Sequence, residues 1–142
     1  MPGKYFLDTN IIIYSFEATD PFKQAIALKL IRNALELNEG IISYQVIQEF
    51  LNVAMQKFKE PLKPGDCKRY LDKFLSPLCE IFPSIDLFAK AIEIKSETGF
   101  TFYDSLIVAS AIAGKATVLY TEDLQHNRVI DKKLKIVNPF VR

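Results

Sequence analysis

Histidine and cysteine are scarce in this chain, with one His and two Cys among 142 residues. Cys67 and Cys79 fit no metal-ligand spacing, and His126 alone cannot complete a set, so a structural zinc site is excluded and both cysteines read as reduced thiols. Charge of one sign is also lacking. Eighteen Lys and Arg against 17 Asp and Glu leave a net charge of +1. No global field marks a polyanionic partner, although an enzyme holding a phosphodiester through metal ions needs only a local basic rim. No run of about 18 apolar residues suggests a membrane span, and MPGKYFLDTN carries no apolar core of signal-peptide length. The expectation is a cytoplasmic protein, not a membrane one. Repeats, linkers and low-complexity stretches are absent as well. With 49% hydrophobic residues, residues 1–142 read as one domain with one core.

Short apolar segments are present instead. Tyr5 to Leu7, Ile41 to Ile42, Ile81 to Phe82, Val118 to Tyr120 and Ile136 to Val137 do not alternate, as strands covered on both faces read. Helical patterns with recognisable ends lie between them. Asp20-Pro21 predicts a cap and first residue for a helix reaching about Asn38, with Gly40 beyond it. A second helix is predicted from Tyr44 to Phe58. Pro61 and Pro64-Gly65 then break the chain before another opens near Asp66. Ser84 caps a helix stopping at Gly99, and Thr101 or Phe102 starts one stopping at Gly114. Strands alternating with helices, without hairpin signals such as Asn-Gly, predict a three-layer α/β/α sandwich with a mainly parallel sheet. Ligands in such sheets bind beyond the carboxyl ends of the strands.

Acidic residues fall at those ends. Asp8 follows the first strand in Asp8-Thr9-Asn10, where it reads equally well as a helix cap. Asp104 begins an apolar helix, with Ile107, Val108 and Ala111 three, four and seven residues on. It therefore tops a buried stripe with no Lys or Arg within two turns, although a helix N-terminus offsets part of that cost. Asp123 follows the fourth strand, where an Asx turn is the rival reading. Glu49 lies on a polar helix face with Gln45, Asn52 and Gln56, which suits solvent as well as chemistry. Two carboxylates about 5 Å apart at an effective dielectric of about 20 repel by roughly 3 kcal/mol, so a cluster of four requires cations. Oxygen ligands suit Mg2+ or Mn2+. Such ions activate water against a phosphodiester without a histidine base.

Five segments in order, LDTNIIIY (Leu7 to Tyr14), SYQVIQEF (Ser43 to Phe50), FYDSLIVASA (Phe102 to Ala111), LYTEDLQ (Leu119 to Gln125) and IVNPF (Ile136 to Phe140), resemble the PIN-domain family and, within it, the VapC-type toxins. The resemblance covers nearly the whole chain. It implies a Mg2+- or Mn2+-dependent endoribonuclease whose acidic quartet is Asp8, Glu49, Asp104 and Asp123. Asn10 and Thr121 would orient ligands or water around the metal, and Ser43 would do so or cap its helix. Glu122 would add a carboxylate or sit in a salt bridge. Relatives often read LQHG where this chain has Gln125-His126-Asn127, and Asn replaces Gly best at positive φ. His126 would touch RNA or be a surface residue. The resemblance also implies RNA as substrate, an antitoxin partner and a homodimer. Two further features have functional readings: the stretch Lys57 to Lys73, with six basic against three acidic residues, as an RNA rim, and the surplus apolar positions Leu28, Leu30, Ile31, Leu35 and Leu37 as an interface. A solvated hairpin and core packing are their respective rivals. An aspartyl-phosphate phosphatase of the haloacid dehalogenase kind needs a second Asp where this chain has Asn10. A catalytically silent binding domain is the other alternative.

Overall fold

The structure, a computed structural model, describes residues 3–142. Strand β1 (Tyr5–Leu7) leads into a short helix α1 (Thr9–Tyr14) and then α2 (Pro21–Glu36). Next come β2 (Gly40–Ser43), α3 (Tyr44–Gln56) and α4 (Pro64–Tyr70), which runs through a π-helical turn (Leu71–Leu75) into α5 (Ser76–Leu78). Strand β3 (Cys79–Ile81), α6 (Ile85–Thr98), α7 (Phe102–Ala113), β4 (Val118–Tyr120), β5 (Val129–Ile130) and β6 (Leu134–Val137) complete the chain. The predicted caps are in place. Asp20, Ser43, Ser84 and Thr101 each accept a backbone N–H from the first turn of the helix that follows, and Gly99 ends α6 at φ +78°.

The sheet runs β3-β2-β1-β4-β6-β5, parallel except for the β5–β6 pair. Every residue of β1 and β2 is buried. Because successive side chains point to opposite faces, that pattern means both faces are covered, as the apolar segments predicted. The chain winds outward from β1 through β2 to β3 and then returns to β4 on the other side of β1. That reversal creates a switch point between β1 and β4, the place where open α/β sheets bind ligands.

Two elements differ from the sequence reading. Strand β3 (Cys79–Ile81) starts two residues earlier and ends one residue earlier than the Ile81 to Phe82 segment read from the sequence. As an edge strand it is covered on one side only, and Phe82 beyond it is exposed. Strand β5 went unread because its hairpin lacks an Asn-Gly signal. Asp131 and Lys132 both take positive φ (54° and 59°) and Lys133 N–H donates to Ile130 O, which together make a type I′ turn from unusual residues. Gly114 marks a close approach: a Cβ there would meet Ile41 Cδ1 at 2.3 Å, so any larger residue at the end of α7 requires the Ile41 side chain on β2 to move.

Candidate active site

The parallel register sets Leu7 opposite Tyr120, and Asp8 N–H continues the ladder by donating to Tyr120 O at 3.0 Å. Asp8 and Thr121 thus leave adjacent strands side by side. Asp8 is 5% exposed, and Thr121 is fully buried. Thr121 Oγ1 donates to Asp8 Oδ2 at 2.7 Å, while Thr9 N–H donates to Asp8 Oδ1 at 2.7 Å. Burial pushes the Asp8 carboxyl up to about 7. The two hydrogen bonds act against that rise, and the nearby charges of Asp123 and Glu49 add to it.

Glu49 reaches the same place because α1 packs on α3, and Thr9 Oγ1 donates to Glu49 Oε1 at 2.7 Å. Thr9 therefore ties two acids together, one through its backbone and one through its hydroxyl. The sequence reading did not single it out, although its position inside Asp8-Thr9-Asn10 was the available signal. Asp123 is exposed on the loop after β4. Its carboxylate accepts from Asn10 Nδ2 at 3.0 Å, and its N–H donates to Thr121 Oγ1 at 3.1 Å. Asn10 also accepts from Glu122 N–H at 3.4 Å, so it straps the β4 loop to α1.

Asp104 stands half-buried in the first turn of α7, above Ile107, Val108 and Ala111, which are all buried. It shares no hydrogen bond with the other three acids among the described residues. What places its turn near them is Gln45, whose Nε2 donates to Tyr103 O at 3.2 Å. Gln45 lies one helical turn before Glu49 on the same face of α3.

Other positions have structural work. Ser43 Oγ accepts from Val46 N–H, which is the capping role. Glu122 is ion-paired with Lys23 and accepts from Tyr14 Oη at 2.6 Å. Partial burial alone would raise its carboxyl, but Lys23 and Tyr14 hold it below the usual range. His126 is exposed, and its Nδ1 accepts from Asn138 N–H. Asn127 takes φ +69°, so the turn that relatives build with Gly is kept.

Comparison with known proteins bears on the family and the fold. The PIN domain family model matches residues 5–132. The chain belongs to the PIN domain family. No curated protein matches it. This PIN domain is similar to chains in several solved structures. A toxin-antitoxin complex from Klebsiella pneumoniae is 22% identical over 96% of this chain and 98% of that one, with a TM-score of 0.66. DNA-bound VapBC from Salmonella typhimurium is 21% identical over 94% and 96%, with a TM-score of 0.64. VapBC2 from Rickettsia felis, bound to a promoter DNA fragment, is 26% identical over 93% and 97%, with a TM-score of 0.60.

The PIN fold implies a divalent cation, and the donors can be tested against one. Among the described residues, none of Asp8, Glu49, Asp104 and Asp123 is ion-paired to Lys or Arg, and the neighbours of Asp8, Glu49 and Asp123 are neutral donors. Nor do three acidic, cysteine or histidine side chains converge to hold an ion unaided among those residues. A hydrated cation, ligated by one or two carboxylates and otherwise by water, is the habit of Mg2+, and the donor set fits it. Each Asp8 oxygen keeps a free lone pair beside its hydrogen bond.

Proposed function

We propose that this PIN domain is a divalent-metal-dependent endoribonuclease, the toxin of a toxin–antitoxin pair. The observation that carries the reading is the buried Asp8 carboxylate, raised by burial and by two further acids, with only neutral partners. Such an arrangement is uphill until a cation enters, whereas Glu122 two residues beyond β4 already has Lys23 and is withdrawn from the set.

One or two of Asp8, Glu49 and Asp123 would ligate Mg2+ or Mn2+ directly, and the other acids, Asp104 at the start of α7 included, would act through the ion's water shell. When bound, the ion polarises a phosphodiester and lowers the pKa of an attacking water. Thr121 and Thr9 fix the carboxylates they bond, and Asn10 holds the loop bearing Asp123, so the ligands need little reorganisation at the moment of reaction. RNA follows from the resemblance to VapC-type toxins. The net +3 of Lys57 to Lys73 supports it, since Arg69 is the only one of its six basic residues that is ion-paired among the described residues. An antitoxin partner follows from the solved relatives being toxin–antitoxin complexes. A homodimer follows from the family resemblance. Among the described residues no helix is long and apolar enough to cross a membrane.

The test is incubation of total RNA with the purified protein in Mg2+ or Mn2+. Discrete fragments that vanish with chelator and with Asp8→Asn or Asp104→Asn are expected. Intact RNA, together with equal Mn2+ binding by wild type and variants, would favour the silent binding domain.

A further inference from the structure

Lys23 stands in the first turn of α2, where the helix dipole disfavours a positive charge, so the helix that carries it does not explain its place. Its ammonium is held by several groups at once. It is ion-paired with Glu122 on the loop after β4, donates to Tyr14 Oη at 3.2 Å, and lies 4.6 Å from the Tyr14 ring centroid and 5.4 Å from that of Phe140. Phe140 is buried and meets the Tyr14 ring edge-on at 5.0 Å, so both α1 and the closing segment of the chain fix the aromatic shelf under the ammonium. Tyr14 Oη in turn donates to Glu122 Oε1 at 2.6 Å, while Lys23 takes Oε2. Both oxygens of Glu122 are therefore engaged.

Asp123, the next residue, is in the opposite condition, since its carboxylate meets only the neutral amide of Asn10. Asn10 pins the loop between the two acids, accepting from Glu122 N–H through Oδ1 and donating to Asp123 through Nδ2. Among the described residues, Lys23 is the only basic side chain ion-paired to this loop.

We propose that Lys23 is a positioning residue for the cation site: with Tyr14 it holds Glu122 out of that site, so that the loop after β4 offers the ion one carboxylate and not two. The assignment rests on the cation-site reading and adds to it the residue that sets its carboxylate count. That count matters because Mg2+ takes one or two carboxylates and keeps several waters, whereas sites with more carboxylates bind more tightly and suit Ca2+. Asp8, Glu49 and Asp123 already meet the smaller need. A freed Glu122, beside Asp123 and one methylene longer, would add a carboxylate where hydrolysis needs water.

Mn2+ titration followed by electron paramagnetic resonance tests this without reference to cleavage. Lys23→Met should bind Mn2+ at least about tenfold more tightly than wild type, and Lys23→Arg, which keeps the pair, should match wild type. Tyr14→Phe keeps the stacked ring, removes one donor to Glu122 and should tighten binding in the same direction with the ammonium intact. Losing a positive charge also tightens binding by itself, so the deciding comparison is the effect of Asp123→Asn in each background. That change should weaken binding at least about tenfold with Lys23 present and less than about threefold in Lys23→Met, because Glu122 then takes its place. Adding Glu122→Gln to the double variant should abolish what it retained. Weaker binding by Lys23→Met, or an Asp123→Asn effect of equal size in both backgrounds, overturns the role of Lys23 and leaves the cation site standing. A wild type with no saturable Mn2+ binding overturns the cation site and this role together.

Discussion

Replacing Asp8 with Asn should abolish cleavage and yet make the metal-free protein more stable at pH 8. The Asp8 carboxyl is pushed from 3.8 up to about 7 in the folded chain, chiefly by burial. An acid whose pKa is raised by folding binds more protons in the native than in the unfolded state between about pH 4 and pH 7. Stability therefore falls as pH rises through that window and levels off above it. Three units at 1.36 kcal/mol each put the cost of the charged, metal-free Asp8 at about 4 kcal/mol. Asn removes the charge, but its single carbonyl oxygen cannot accept from both Thr9 N–H and Thr121 Oγ1, a loss of about 1–2 kcal/mol. The net gain at pH 8 is about 2 kcal/mol, or roughly 4–8 °C in melting temperature for a chain of this size. At pH 4 the order should reverse, because only the lost hydrogen bond remains. Thermal melts in chelator at pH 4, 6 and 8 measure this. Adding Mg2+ or Mn2+ at pH 8 should raise the wild-type melting temperature and leave Asp8→Asn unchanged. A wild type whose stability does not decline from pH 4 to 8, or a variant less stable than wild type at pH 8, would refute the reasoning.

Three further perturbations have defined outcomes. Thr9→Val keeps the backbone bond to Asp8 but removes the hydroxyl bond to Glu49, so Mn2+ affinity by calorimetry should fall about 10- to 100-fold while Thr9→Ser stays near wild type. Phe50 is fully buried against Phe16, Phe58 and Tyr70, and Phe50→Ala should cost about 3–5 kcal/mol in urea unfolding. Gly114→Val drives a side chain into Ile41 and should destabilise by at least about 1–3 kcal/mol, read as a lower denaturation midpoint with little change in Mn2+ affinity.

Much of this architecture was legible because local chemistry and global fold agree. Four helix caps and the non-alternating apolar runs Tyr5–Leu7 and Ile41–Ile42 specify elements whose only economical arrangement is a covered parallel sheet. Asp104 stood out because charge at the top of an apolar stripe is costly. The joining of Asp8 to Thr121 was not legible as a contact, since it depends on the Leu7–Tyr120 register between strands more than 100 residues apart. Thr9 was missed for a related reason. Its hydroxyl acquires a role only when α1 packs on α3, and a buried threonine after a capping Asp has no distinctive pattern along the chain. The β5 hairpin stayed hidden because Asp131 and Lys132 adopt positive φ without glycine. Glu122 and Asp123, adjacent in sequence, were separated in role only by Lys23, which arrives from α2.

The central claim is that Asp8, Glu49, Asp104 and Asp123 form one cation site. Titration of Mn2+ followed by electron paramagnetic resonance tests it directly, with wild type beside Asp8→Asn, Glu49→Gln, Asp104→Asn and Asp123→Asn. Saturable binding by wild type that weakens by at least about tenfold in each variant is the expected result. Binding of equal strength in wild type and Asp8→Asn would contradict the claim, because the most buried acid of the set would then have no part in holding the ion.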